Sequence, residues 1–212
     1  MRTLSRVICA WALGIGLWLI AVPGMATQAS PILVFGDSLS AGYGLRPDEG
    51  WVPLLQKRLQ AQGYVTPLVN ASVSGETSGG GLQRLPRALQ LHKPFLVILE
   101  LGANDGLRGL PVPETRANLE KMIGMARAAG AQILLIGIRM PPNYGPRYTT
   151  DFSHMYTDLA QRDHVPLVPF LLDSVALNPN LMQADGMHPN AGAAPLILDT
   201  VWQRLLPLLP AR

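Results

Sequence analysis

Three residue types that together perform nucleophilic hydroxyl chemistry recur in this chain at positions a fold could bring together. Ser38 stands in Phe35-Gly36-Asp37-Ser38-Leu39-Ser40, at the exit of the short apolar run Ile32-Leu33-Val34-Phe35. Near the other end, Asp185 and His188 are three residues apart, with Gly186 between them. A serine hydroxyl becomes a nucleophile when an imidazole takes its proton and a carboxylate orients the imidazole. A glycine-bent turn lets Asp185 accept from one ring nitrogen of His188 while the other faces Ser38. Plainer readings exist for both segments: Gly-Asp-Ser is an ordinary turn or helix-cap string, and Asp-x-x-His can bind a metal. No second His or Cys cluster completes a coordination shell. The remaining histidines suit the task less well, since His92 and His154 fall on expected helices and His164 ends one, where a helix-terminal cation is the simpler role.

Acyl transfer through such a serine also needs donors for the negative oxygen of a tetrahedral intermediate. Ser38 offers its own backbone N–H, Gly75 a backbone N–H in a conformation closed to larger residues, and Asn104 its side-chain amide. The alternatives are a simple turn at Gly75 and an Asn104 side chain bonded to its own backbone.

The elements that must position these residues alternate strand and helix from Pro31 onward. Strands are expected at 32–35, 67–70, 95–101, 133–138 and 167–170, and the third and fourth are continuous Leu/Ile/Val runs, as parallel strands covered on both faces require. Helices are expected from Trp51 to Gly63, Gly80 to Leu91, Pro113 to Ala129, Phe152 to Arg162 and Ala191 to Leu208. Alternation of this length predicts a parallel sheet wrapped by helices, with all post-strand loops on one edge. Those loops carry Ser38, then Asn70–Thr77, Gly102–Gly106, Arg139–Gly145 and Asp185–Asn190, all rich in polar and turn residues. Open sheets of this kind bind ligands beyond the carboxyl ends of the strands.

The chain of 212 residues, 48% hydrophobic, suits one domain, and neither repeats nor low-complexity stretches argue otherwise. A net charge of +3 with scattered Lys and Arg marks no nucleic-acid surface. At the amino terminus, Arg2 and Arg6 precede an uncharged apolar run from Val7 to Val22, then Pro23-Gly24 and Ala26. This is the pattern of a secretory signal over residues 1–26, cleaved after Ala26 or, as second choice, after Ala29. A retained anchor is the alternative, for which the run is slightly short. Cys9 is the single cysteine, so the domain at 27–212 has none and uses neither disulfides nor thiol catalysis. The expected location is periplasmic or secreted, with no stable membrane span after processing.

Gly-Asp-Ser-Leu after the first strand, Gly75 after the second, Gly102-Ala103-Asn104-Asp105 after the third and Asp185-Gly186-Met187-His188 near the end resemble, in order and spacing, the SGNH/GDSL hydrolase family. The strings Asn104-Asp105-Gly106-Leu107-Arg108 and Pro142-Asn143-Tyr144-Gly145 are most similar to the bacterial periplasmic thioesterase I/protease I/lysophospholipase and arylesterase subgroup. The resemblance spans nearly the whole mature chain. It implies a flavodoxin-like three-layer α/β/α sandwich with a five-stranded parallel sheet and no metal or organic cofactor. It further implies that Ser38 is the nucleophile, His188 the base, Asp185 its orienting partner, and Ser38, Gly75 and Asn104 the oxyanion hole. The substrate implied is a small-molecule acyl ester or thioester, lysophospholipids included, handled by a monomer. Ser38 lacks the second glycine of G-x-S-x-G, so the α/β-hydrolase elbow is not what positions it. Met140, Pro141 and Leu107 in the post-strand loops are expected to line the acyl side of the cleft. A carbohydrate O-deacetylase is the nearer rival, disfavoured by the scarcity of aromatics in those loops; a non-catalytic acyl-chain carrier is the farther one, with no need of a nucleophile, base and oxyanion hole together.

Overall fold

Apolar runs that cannot be satisfied by one covered face pair side by side at the centre of the molecule. In the computed structural model, which describes residues 30–211, the strands are β1 (Ile32–Gly36), β2 (Leu68–Asn70), β3 (Leu96–Glu100), β4 (Gln132–Ile136) and β5 (Leu167–Val168). All neighbours are parallel, in the order β2-β1-β3-β4-β5. Every residue of β1 and β3 is buried, which is why those runs show no alternation of polar and apolar residues. The expected signal segment and both cleavage positions lie outside the described residues. No helix among the described residues is long and apolar enough to cross a membrane.

Seven α-helices are described: α1 (Ser38–Ala41), α2 (Trp51–Ala61), α3 (Ser78–His92), α4 (Ala103–Leu107), α5 (Val112–Ala128), α6 (Pro146–Arg162) and α7 (Ala194–Leu205). The chain leaves β1 toward β2, then reverses and crosses to β3, β4 and β5. With right-handed crossovers, that reversal puts α2 on one face, where α7 packs against it, and α3, α5 and α6 side by side on the other. The result is the three-layer α/β/α sandwich with the flavodoxin-like strand order. The reversal opens a crevice between the carboxyl ends of β1 and β3, the usual ligand position in such sheets.

The structure corrects several expected boundaries. Strands β3 and β5 are shorter than read, and β4 begins one residue earlier and ends two earlier, at Ile136. The segments after β1 and β3, expected as loops, each fold into a single short helix, α1 and α4. Helix α6 begins at Pro146 rather than Phe152, with proline in the first turn where its missing N–H costs nothing. Helix α7 begins at Ala194 rather than Ala191, because Asn190 caps a preceding turn by accepting from the Gly192 N–H at 2.9 Å.

Candidate active site

Ser38 is the first residue of α1, directly beyond β1. The buried Asp37 caps that helix by accepting from the Leu39 N–H at 3.0 Å, and Trp51 of α2 donates its indole N–H to the Leu39 carbonyl at 3.2 Å. A serine on a capped turn braced by a buried tryptophan is held in place by its neighbours' bonds, leaving its own hydroxyl for other work. That hydroxyl lies 2.9 Å from His188 Nε2.

The His188 ring is fixed from its other side. Nδ1 lies 2.6 Å from Asp185 Oδ2, while Asp185 Oδ1 accepts the backbone N–H groups of Met187 (2.9 Å) and His188 (3.0 Å). Those bonds, first from the His188 backbone, then from its ring and from Met187, hold the Asp185 carboxyl down at about 2. Asp185 is therefore an acceptor at neutral pH, so Nδ1 carries the ring proton and Nε2 is left to accept from Ser38. Tyr43 lies against His188, with ring centroids 4.6 Å apart.

The three expected oxyanion donors also converge. The backbone N–H groups of Ser38 and Gly75 make no hydrogen bond among the described residues. Gly75 takes a left-handed φ of 81°, so the conformation required of it is one that glycine adopts without strain. Asn104, on α4, donates from Nδ2 to the Glu76 carbonyl at 2.9 Å and, at a longer 3.3 Å, to Asp37 Oδ2. The shorter bond to Glu76 fixes the amide on the loop that carries Gly75. Ser38, Gly75, Asn104 and His188 all line one cleft of about 660 Å³.

Leu107, Met140 and Pro141 line the same cleft. Met140 is more enclosed than its loop position suggests: it is buried, with its sulfur tight against Gly106. It therefore both supports α4 and forms cleft wall. Ile138, Phe170 and Leu172 extend the apolar lining, and Arg139 adds a cation that meets Asp173 at 3.6 Å and stacks over Phe170. His92, His154 and His164 do not line the cleft, and no cluster of three or more His, Cys, Asp or Glu side chains suited to a metal occurs among the described residues.

Several residues that shape the site escaped sequence reasoning. Arg84, on α3, donates from Nη1 to the Ala71 carbonyl (2.7 Å) and from Nε to the Glu76 carboxylate (2.8 Å), while its guanidinium stacks over Phe35. It thereby ties both ends of the loop that presents Gly75. The sequence carried no distinct signal for it, since Arg87 lies three residues on and the two arginines read as an ordinary solvated helical face. Asp105 is buried and accepts from the backbone and hydroxyl of Ser78, which joins α4 to the start of α3. Glu100, read as part of an apolar strand, is fully buried and accepts from Ser40 Oγ at 2.7 Å and from the Asp37 N–H at 3.3 Å, the two residues that flank Ser38 and Leu39. Burial, and then the nearby Asp37, push the Glu100 carboxyl well above the usual range, and burial raises Asp37 to about 6.

The residues 34–193 match the family model described as the GDSL-like Lipase/Acylhydrolase family. The chain is 52% identical over 181 residues to the esterase TesA of Pseudomonas aeruginosa, covering 85% of this chain and 90% of that protein. It is 45% identical over 193 residues to the thioesterase 1/protease 1/lysophospholipase L1 of Escherichia coli K12, covering 91% of each. Among solved structures, the psychrotrophic esterase EstA of a Pseudoalteromonas species, inhibited by monoethylphosphonate, superposes with a TM-score of 0.81 at 44% identity, over 84% of this chain and 98% of that one.

Proposed function

This chain belongs to the GDSL-like lipase/acylhydrolase family, and on that premise we propose that it is a serine hydrolase of carboxylic esters and acyl thioesters working through an acyl-enzyme on Ser38. The observation that carries the reading is the relay in which His188 bridges Asp185 at 2.6 Å and Ser38 at 2.9 Å beside two unpaired backbone N–H groups. His188 Nε2 takes the Ser38 proton as Oγ attacks the acyl carbon. The carbonyl electrons move onto oxygen, which the N–H groups of Ser38 and Gly75 and the Asn104 amide receive. Collapse expels the alcohol or thiol, protonated by His188, and water then repeats the sequence in the opposite sense to release the acid.

The leaving group is held loosely in this scheme and the acyl group tightly, because the cleft wall formed by Leu107, Ile138, Met140, Pro141 and Leu172 is apolar. Medium and long acyl chains, including those of lysophospholipids, are the favoured substrates over acetylated sugars. The full chain enters the periplasm or exterior through its first 26 residues and acts as a monomer without a metal or organic cofactor.

A hydrolysis screen of the purified protein, crossing acyl length from acetyl to palmitoyl with oxygen and thiol leaving groups, tests this. Rising kcat/KM with acyl length on both leaving groups is the expected pattern. Turnover confined to acetyl groups on oligosaccharides would assign the site to deacetylation, and no turnover of any activated ester would leave only a carrier.

A further inference from the structure

The nucleophile and the base sit on segments far apart in the chain, and their separation is not set by any strand pairing. Residues 37–44 follow β1, while residues 181–190 form a loop closed on itself: Met182 and Pro189 pair as an isolated antiparallel bridge, and the Gln183 N–H donates to the His188 carbonyl at 2.7 Å. Among the described residues, two hydrogen bonds join these segments. One is Ser38 Oγ to His188 Nε2. The other is the Gln183 side chain, whose Nε2 donates to the Tyr43 carbonyl at 2.8 Å and, within its own loop, to the Pro189 carbonyl at 3.0 Å.

From this geometry we propose that Gln183 is a positioning residue that sets the Ser38–His188 separation by strapping the histidine loop to the serine loop. The proposal rests on the assignment of Ser38 and His188 as nucleophile and base. One amide nitrogen spends both of its hydrogens on carbonyls, one beside His188 in sequence and one five residues after Ser38. A carboxylate or thioether in its place has no donor for either. The opposing surface leaves room for the amide: Gly44 holds a φ of +73° that glycine adopts without strain, and a Cβ there would lie 2.2 Å from Gln183 Oε1, so a larger residue would push the amide aside. Tyr43, whose carbonyl receives the strap, also lays its ring against His188, so the same contact sets how that ring is flanked. Proton transfer between Oγ and Nε2 depends steeply on their distance, and a misplacement of about 1 Å can cost roughly 10²-fold in rate.

The test uses Gln183→Met and Gln183→Glu, both close in shape to glutamine and both lacking the donors. Each is expected to lower kcat on a p-nitrophenyl ester by about 10- to 100-fold, with KM within about twofold and little change in Tm. Placed in a His188→Ala background, Gln183→Met should cost nothing further, because the group it positions is gone; in an Asn104→Ala background its full cost should persist. An undiminished kcat in both single variants, or an equal additional loss in the His188→Ala background, would overturn the strap. Near-normal turnover by His188→Ala alone would instead overturn the assignment of the base, which separates that failure from this one.

Discussion

Replacing Asn104 by alanine separates transition-state stabilisation from structural support, because the proposed mechanism gives the amide the first role and the resting structure shows the second. In the resting cleft Nδ2 donates to the Glu76 carbonyl at 2.9 Å and to Asp37 Oδ2 at 3.3 Å. A typical net hydrogen bond contributes about 0.5–1.5 kcal/mol, and the longer one contributes less, so truncation should cost about 1–2 kcal/mol of stability. For a domain of this size that is a fall in Tm of about 2–8 °C. On the proposed mechanism the same nitrogen turns to the oxyanion, and losing one such donor costs about 10²–10³ in kcat, or roughly 2.7–4 kcal/mol of barrier. Steady-state kinetics on a p-nitrophenyl ester, well below the variant's Tm and paired with calorimetry, measures both. KM should stay nearly constant, because the ground-state carbonyl gains little from the amide. A raised KM at unchanged kcat would make Asn104 a substrate-binding residue. A lowered Tm with kcat intact would make it a brace for the loop at Glu76 and nothing more.

Two further outcomes follow from the same site. Asp37 and Glu100 titrate above the usual carboxylate range through burial, Asp37 at about 6 against an ordinary 3.8. The folded state therefore binds more protons than the unfolded chain between those values, and stability is full below 3.8 and declines as the pH rises through about 6. Asp37→Asn removes the Asp37 share of that decline and leaves the share due to Glu100, so calorimetry from pH 4 to 7 should find the variant gaining on wild type as pH rises; a constant difference would contradict the buried-carboxyl account. Met140→Ala enlarges the cleft wall and loosens the support under Gly106, and kcat/KM should fall more for octanoyl and longer esters than for acetyl, with up to about 0.8 kcal/mol for each methylene that loses its contact. A uniform loss across chain lengths would leave Met140 with the supporting role alone.

The fold was legible because parallel strands buried on both faces have to be predominantly apolar runs, as β1 is throughout and as β3 and β4 are apart from Glu100 and the exposed Gln132 at their ends. The relay was legible because Ser38 follows the first of those runs and Asp185 and His188 share a short glycine turn, so local chain geometry nearly closes their contact. The short helices α1 and α4 were not, since four or five residues are too few for a helical period to show. Glu100 was absorbed into its strand because the hydrophobic pattern around it is unbroken, and a single carboxyl there becomes tolerable only once Ser40 supplies its donor from another element. Arg84 and Gln183 act through backbone carbonyls, at Ala71 and Tyr43, and a carbonyl has no residue identity for a sequence pattern to register. The Gln183 contact also spans 140 residues, beyond any local rule.

The central claim, that Ser38 is the nucleophile activated by His188, is tested most directly by covalent trapping. Incubation of the wild-type protein with an alkyl p-nitrophenyl phosphonate should release one equivalent of p-nitrophenol and abolish esterase activity. Tryptic mass spectrometry should then find the adduct on Ser38. Ser38→Ala should take up no label while keeping the wild-type Tm, and His188→Ala should label slowly at the same serine. Labelling of Ser38→Ala at wild-type rate, or an adduct on any other side chain accompanied by loss of activity, would contradict the account.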